Sequence, residues 1–286
     1  MLLEFRTSNY KSFKEELIFS LIPAPKQKGL DYSVLKQDID KKSYKGLCSA
    51  VIYGSNASGK TNIIGAMDTF KSIVLRGNIR NDDDKNDPNT AACELELIPN
   101  NLSENREPVS FFIKFITDNY LIEYSFSADL GKFLEVDYSR KIISEQLRVN
   151  DRLIFKRNGE LKFDSLDTIS TLLVNAFEQN AESAIALAQG NLNDEELFLM
   201  NGFKNMFSSK LVQIISNWLD NKFMVIYRAD SMHLIRKFSE PKKESIYVEK
   251  TLNEAAAYFG ISSNALGYVV EGDSNEAKLC SIFKGD

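Results

Sequence analysis

Leu47-Cys48-Ser49-Ala50-Val51-Ile52-Tyr53 runs straight into Gly54-Ser55-Asn56-Ala57-Ser58-Gly59-Lys60-Thr61, and the fold turns on how this stretch is read. The first seven residues are short, apolar and rich in β-formers, which predicts a buried strand. The next eight match G-x-x-x-x-G-K-[ST] without a mismatch. Beyond Lys60, the residues Ile63, Ile64, Met67, Phe70 and Ile73 fall on one helical face. Strand, glycine loop and helix follow in the order that a phosphate-cradling loop needs.

Each position has a chemical reason. Dense phosphate charge is wrapped by successive backbone N–H groups only if side chains stay clear, and Gly54 and Gly59 remove them. Ser55, Asn56, Ala57 and Ser58 form the loop between the two glycines. The following helix points a positive end of about half an elementary charge at the anion. Lys60 supplies a mobile charge for β- and γ-phosphates, and the Thr61 hydroxyl is placed to ligate Mg²⁺. The expected ligand is a nucleoside triphosphate, ATP, with Mg²⁺ as its metal.

Working outward, Leu3 and Phe5 alternate with Glu4 and Arg6, predicting a strand that ends near Asn9. A turn at Asn9-Tyr10-Lys11-Ser12-Phe13 leads to a second strand, Leu17 to Leu21, stopped by Pro23 and Pro25. A polar loop is expected from there to about Gly46. On the far side of the helix, Asn81 to Pro88 is acidic and aperiodic and reads as a mobile surface loop. Strands are predicted at Glu94–Ile98, Val109–Ile116, Tyr120–Ser127 and Leu153–Lys156, with a hairpin turn at Asp118-Asn119.

From Thr168 the apolar spacing changes to a helical period. One helix is expected through Leu172, Leu173, Ala176 and Phe177, and another through Leu197, Phe198, Met200 and Phe203. A third runs through Leu211, Ile214, Ile215, Trp218 and Leu219. Phe223 to Tyr227 reads as a strand, and Val248 to Phe259 as helix. Two domains are expected: a β-rich nucleotide-binding lobe over 1–165 and a mainly helical lobe over 166–286.

Composition bounds the rest. Hydrophobic residues make up 43% and charged residues 26% of 286, ordinary for a globular chain with a real core. No apolar run is long enough to span a bilayer, so no membrane partner is expected. The opening Met1-Leu2-Leu3-Glu4-Phe5-Arg6 carries an acid too early for a secretory leader. Cys48, Cys93 and Cys280 are far apart and form no CxxC pair, which fits a reducing cytoplasm. The lone His233 excludes a His-rich metal cluster. With net charge -5, nucleic-acid binding would need a local basic patch, and Lys41-Lys42, Arg140-Lys141 and Lys242-Lys243 are scattered.

The loop Gly54 to Thr61 followed by Asn62 resembles the phosphate loop of ABC-type ATPases of the SMC, RecF and OLD group. Asn9-Tyr10-Lys11-Ser12-Phe13 resembles the "NFKSF" opening of that group. The resemblance implies that Lys11 and Ser12 lie beside the nucleotide, and it adds Asn62 to the site. A nearer likeness is to bacterial AAA-type ATPases related to OLD proteins, found in phage-defence and abortive-infection systems. Their β-block carries "Y-x-Y", "E-x-L" and "LF-x-R". Here Tyr120 to Tyr124, Glu145-Gln146-Leu147 and Leu153 to Arg157 approximate these. By the same likeness Gln146 is a candidate for the glutamine that senses Mg²⁺ and water, against its reading as a surface residue of an edge strand.

The resemblance implies an α/β P-loop NTPase fold like an ABC-ATPase head, with a mixed β core and a helical lobe. It implies ATP-driven dimerisation that controls an effector, a nuclease or toxin, in anti-phage defence, with nucleic acid left open as a partner. Catalytic residues stay unassigned. Phe223 to Tyr227 has the apolar run of a Walker B strand, but Arg228 and Ala229 follow where Asp-Glu belongs. The Ser-Gly signature segment and a late switch histidine are also missing, so the head is expected to be incomplete at its carboxy-terminal end. The alternative is a nucleotide-sensing scaffold that assembles a defence complex without turnover. A GTPase is disfavoured because Asn221-Lys222-Phe223-Met224 lacks the Asp of a guanine-reading N-K-x-D motif.

Overall fold

The computed structural model describes residues 1–25, 29, 31–55, 58–80, 97–100, 107–131, 138–174 and 181–226. It also describes the backbone of strands at 246–248, 265–270 and 277–282. The main sheet has seven strands: β1 (Leu2–Ser8), β2 (Leu17–Ser20), β5 (Val109–Thr117), β6 (Tyr120–Asp129), β7 (Lys141–Val149), β8 (Arg152–Asn158) and β9 (Glu160–Phe163). Their spatial order is β2-β1-β5-β6-β7-β8-β9. Every pairing in it is antiparallel.

Short turns enforce that pattern. Asp118 and Asn119 join β5 to β6 at φ of 47° and 64°, and Asn150 and Asp151 join β7 to β8 at 51° and 65°. Two successive positive φ values twist the chain in the sense that antiparallel strands require, and Asn and Asp tolerate them best after glycine. Gly159, at φ 73°, turns β8 into β9.

Alternation along the strands then separates two faces. Phe5, Phe111, Ile113, Phe115, Ile122, Tyr124, Phe126 and Leu147 are buried on one of them. Across it lies α1 (Lys60–Arg76), whose Phe70 stacks on Phe126 at 5.8 Å and meets Phe5 edge-on at 5.8 Å. Burying that one ring fully is worth about 1.5–3 kcal/mol. The opposite face carries polar pairs, Lys114 with Glu123 at 2.6 Å and Ser8 with Ser110 at 2.6 Å, beside a small apolar cluster that includes Ile116 and Leu121.

Helical elements complete the core. They are a 3₁₀ segment at Leu166–Leu172, α2 (Ala181–Gly190), a wide π-type turn at Leu199–Phe203, α3 (Ser209–Asn217) and a second wide turn at Trp218–Lys222. Ser208 caps α3, its hydroxyl accepting from the Leu211 amide at 3.1 Å. Trp218 stacks on Phe115 with ring centres 3.8 Å apart. By contacts the chain divides into Met1–Val225 and Ile226–Asp286. The second unit contains a three-stranded antiparallel sheet of β10 (Ile246–Val248), β11 (Ala265–Val270) and β12 (Ala277–Ile282).

Several expectations are corrected. The loop read from Pro23 to Gly46 contains a hairpin, β3 (Val34–Ile39) and β4 (Lys42–Leu47). Its Lys42 Nζ reaches Asp151 at 2.6 Å, and Ile39 packs with Leu3, Ile116 and Leu121. The run Leu47 to Tyr53 is not a buried strand: only Leu47 is in one, and Val51 and Tyr53 are 84% and 91% exposed. The mixed core is therefore antiparallel at every described pairing. Gln146 belongs to β7, an internal strand between β6 and β8 where an edge strand was expected. Residues 223–226 form no strand, and Val248 sits in a strand where a helix was expected. Leu173 is extended where helix was expected, at φ −66° and ψ 154°. The helical elements up to Lys222 share the sheet's core. Leu97 and Ile98 lie outside any strand. The expected features at 81–88, 94–96, 176–177 and 249–259 lie outside the described residues, as do Cys93, Tyr227, Arg228, Ala229, His233 and Lys242-Lys243.

Candidate nucleotide-binding site

The site is built where α1 begins. Gly59 is the residue before the helix, at φ 86° and ψ 8°, a left-handed conformation open to glycine at little cost. The Asn62 amide bonds its carbonyl at 2.9 Å, closing the first turn. Lys60 and Thr61 are thus the first two helical residues, at the end where backbone N–H groups point outward. Lys60 Nζ folds back over the loop and donates to the carbonyls of Gly54 at 2.9 Å and Ser55 at 2.6 Å. The Ser58 amide bonds the Ser55 carbonyl at 3.3 Å. Gly54, Ser55, Ser58 and Thr61 are exposed, while Asn56 and Ala57 lie outside the described residues.

Close approach adds to the left-handed backbone at Gly59 and is milder at Gly54. A Cβ on Gly59 would stand 2.6 Å from Ser12 Oγ, and one on Gly54 would stand 3.0 Å from Ser58 Oγ. The described residues therefore fit the donor set of a triphosphate with Mg²⁺: helix-end amides, one ammonium group and the Thr61 hydroxyl.

Among the residues that the sequence proposed for the site, Ser12 and Asn62 come together: Asn62 Nδ2 donates to Ser12 Oγ at 2.7 Å. Lys11 is the neighbour of Ser12 in the same turn, at φ 47°, with its ammonium over the Tyr10 ring at 5.5 Å. Gln146 is not brought to the loop. It lies mid-strand in β7 opposite Ser125 and Lys156, half-buried, out of step with the buried Glu145 and Leu147 that face the core.

The three short patterns in the β-block have a different outcome. One residue from each meets in a single buried cluster. Glu145 is fully buried and accepts from Tyr124 Oη at 2.9 Å, the Phe198 amide at 2.7 Å and the Leu199 amide at 2.8 Å. Arg157, 3% exposed, stands 4.0 Å from it and donates to the carbonyls of Glu196 at 2.8 Å and Asn193 at 2.7 Å. Burial pushes the Glu145 carboxyl above its ordinary range, opposed by the Leu199 and Phe198 amides, Tyr124 and Arg157. Burial and the facing carboxylate together push the Tyr124 phenol well up. The cluster ties residues 193–199 to the sheet, and the same segment reaches α1, where the Leu197 amide bonds the Gly77 carbonyl at 2.9 Å. The spacing of the patterns contained these residues but not their convergence. Asn100, which bonds the Lys11 carbonyl beside Ser12, carries no sequence signal at all.

A sheet covered on one face by a helix that opens with a left-handed glycine, lysine and threonine is consistent with an α/β domain of P-loop-like class. The chain belongs to the family described as "AAA domain, putative AbiEii toxin, Type IV TA system", whose model matches residues 49–204. AAA ATPases as a family bind ATP with Mg²⁺. No curated protein and no solved structure matches the chain. Among the described residues no helix is long and apolar enough to cross a membrane.

Proposed function

We infer that this chain binds MgATP through Gly54 to Thr61 and is the nucleotide-binding part of an ATPase of the SMC, RecF and OLD group. Its nucleotide state drives pairing with a second copy and controls an effector, a nuclease or toxin, in cytoplasmic defence against phage. The observation that carries the reading is Lys60 at the tip of α1 behind a left-handed Gly59. The family's printed description, with its toxin–antitoxin context, is what suggests the defence setting.

In this reading the bound nucleotide supplies the phosphoryl group, and the chain's own residues position it. Lys60 Nζ exchanges two carbonyl partners for phosphate oxygens, which are better acceptors because they are charged. The helix-end amides face the same anion, and Thr61 offers its hydroxyl to Mg²⁺.

Titration of the full chain with fluorescent mant-ATP and Mg²⁺ tests this. Lys60→Ala is expected to weaken binding at least about tenfold, the loss of one charged hydrogen bond. Equal affinity of variant and parent would overturn the reading. Sedimentation with and without ATP tests pairing, which must increase with nucleotide. The absence of an acidic pair after Phe223 to Tyr227 in the sequence favours the second reading, a scaffold that senses nucleotide. Binding without phosphate release supports the scaffold, and sustained release supports the ATPase.

A further inference from the structure

The turn between β1 and β2 is held from behind by a residue distant in sequence. Asn100 is buried, and its Nδ2 donates to the Lys11 carbonyl at 2.6 Å while its backbone amide bonds the Asn9 carbonyl at 3.0 Å. The Lys11 amide bonds the Ile98 carbonyl at 3.0 Å, so segment 98–100 grips the turn on both sides of Tyr10. Asn9 and Lys11 both take left-handed backbone angles, at φ 51° and 47°, a conformation unfavourable for lysine unless its surroundings impose it.

That imposed turn aims Ser12 at the phosphate loop. Its hydroxyl accepts from Asn62 in the first turn of α1, and it stands 2.6 Å from where a Cβ on Gly59 would be, with Phe13 next nearest at 3.3 Å. Tyr10 Oη bonds Thr69 Oγ1 at 3.0 Å further along the same helix. The turn therefore meets α1 at its tip and again two turns on.

We propose that Asn100 is a positioning residue for nucleotide: by fixing the left-handed Lys11 backbone it seats Ser12 against Gly59 and Asn62 and sets the phosphate loop from outside it. Ser12 and Asn62 are then a latch that works as one bond. This rests on the reading of Gly54 to Thr61 as a MgATP site and assigns the residues that hold the site in shape.

The test uses the full chain, mant-ATP with Mg²⁺, and the melting temperature without nucleotide. Asn100→Asp keeps the size and removes the donor to Lys11; it is expected to weaken mant-ATP binding about tenfold. Ser12→Ala and Asn62→Ala are each expected to weaken it about fivefold, and the double variant no more than either one. Lowered melting with unchanged affinity in all three single variants marks a merely structural role and overturns the proposal. Additive effects of Ser12→Ala and Asn62→Ala overturn the latch. Should Asn100→Asp not fold, the exposed Ser12 and half-buried Asn62 carry the test. If the parent chain does not bind mant-ATP, or Lys60→Ala binds as tightly, the MgATP reading falls and takes this proposal with it. Weakening by Lys60→Ala without weakening by the other variants sinks this proposal alone.

Discussion

At the residue scale Lys60 and Glu145 are held in opposite ways. Lys60 is a flexible ammonium parked on two carbonyls at a water-exposed loop, free to change partners. Glu145 is sealed among donors that water cannot replace. Glu145→Ala would strand two amides and a phenol and remove the carboxylate facing Arg157, and is expected to cost about 3 kcal/mol, read by urea denaturation. A pH effect follows as well. Because burial raises the folded-state pKa of Glu145 above its unfolded value, the folded chain keeps a proton that the unfolded chain releases first. The stability from this linkage is full below the ordinary carboxylate range and is lost as pH rises through the raised value. Glu145→Gln should flatten that part of the stability–pH curve; an unchanged slope would mean that burial does not dominate.

Elements are decided by their ends as much as by their periodicity. The helix α1 stops at Gly77, at φ 80°, whose amide bonds the Ile73 carbonyl at 2.8 Å. A Cβ there would also stand 3.0 Å from Met200 Cβ, so Gly77→Ala is expected to destabilise by about 1–2 kcal/mol in thermal melts. Ser208 both caps α3 and donates to the Leu172 carbonyl at 2.7 Å. Its replacement by Ala should cost about 1–2 kcal/mol in the same melts. The apolar run before the phosphate loop behaves differently. Val51 has the side chain of a buried strand and the exposure of a surface residue. Val51→Lys should therefore change the chain's stability by less than about 0.5 kcal/mol. A loss of several times that amount would show the segment to be packed.

For the whole molecule, the described core joins the seven-stranded sheet, α1 and the helical elements up to Phe223 in one cluster. A chain ending at Val225 is thus expected to unfold in one cooperative transition by calorimetry. Two transitions, or none, would show that Met1–Val225 is not one cooperative unit. Such a chain should also bind mant-ATP like the full one, since every described residue of the loop and its latch lies within Met1–Val225.

Local rules reach a definite distance into this molecule. Glycine chemistry and a helical period place Gly59, Lys60 and the Phe70 face from letters alone. Strict alternation places β1, β5 and β6, and Asp118-Asn119 announces its own turn, because each of these is settled within a few neighbouring residues. The hairpin of Val34 to Leu47 escapes that reading: its polar positions are mostly lysine and aspartate, and it is held by Asp151 and by a small cluster around Leu3 and Ile116, all remote in sequence. Leu47 to Tyr53 misleads for the converse reason, since a strand needs a partner edge as well as β-forming side chains. The meeting of Tyr124, Glu145 and Arg157, and the grip of Asn100 on Lys11, arise only when the sheet assembles. Hydrogen bonds between residues dozens of positions apart leave no period in the chain, and packing alone chooses which of many polar side chains will share a buried site.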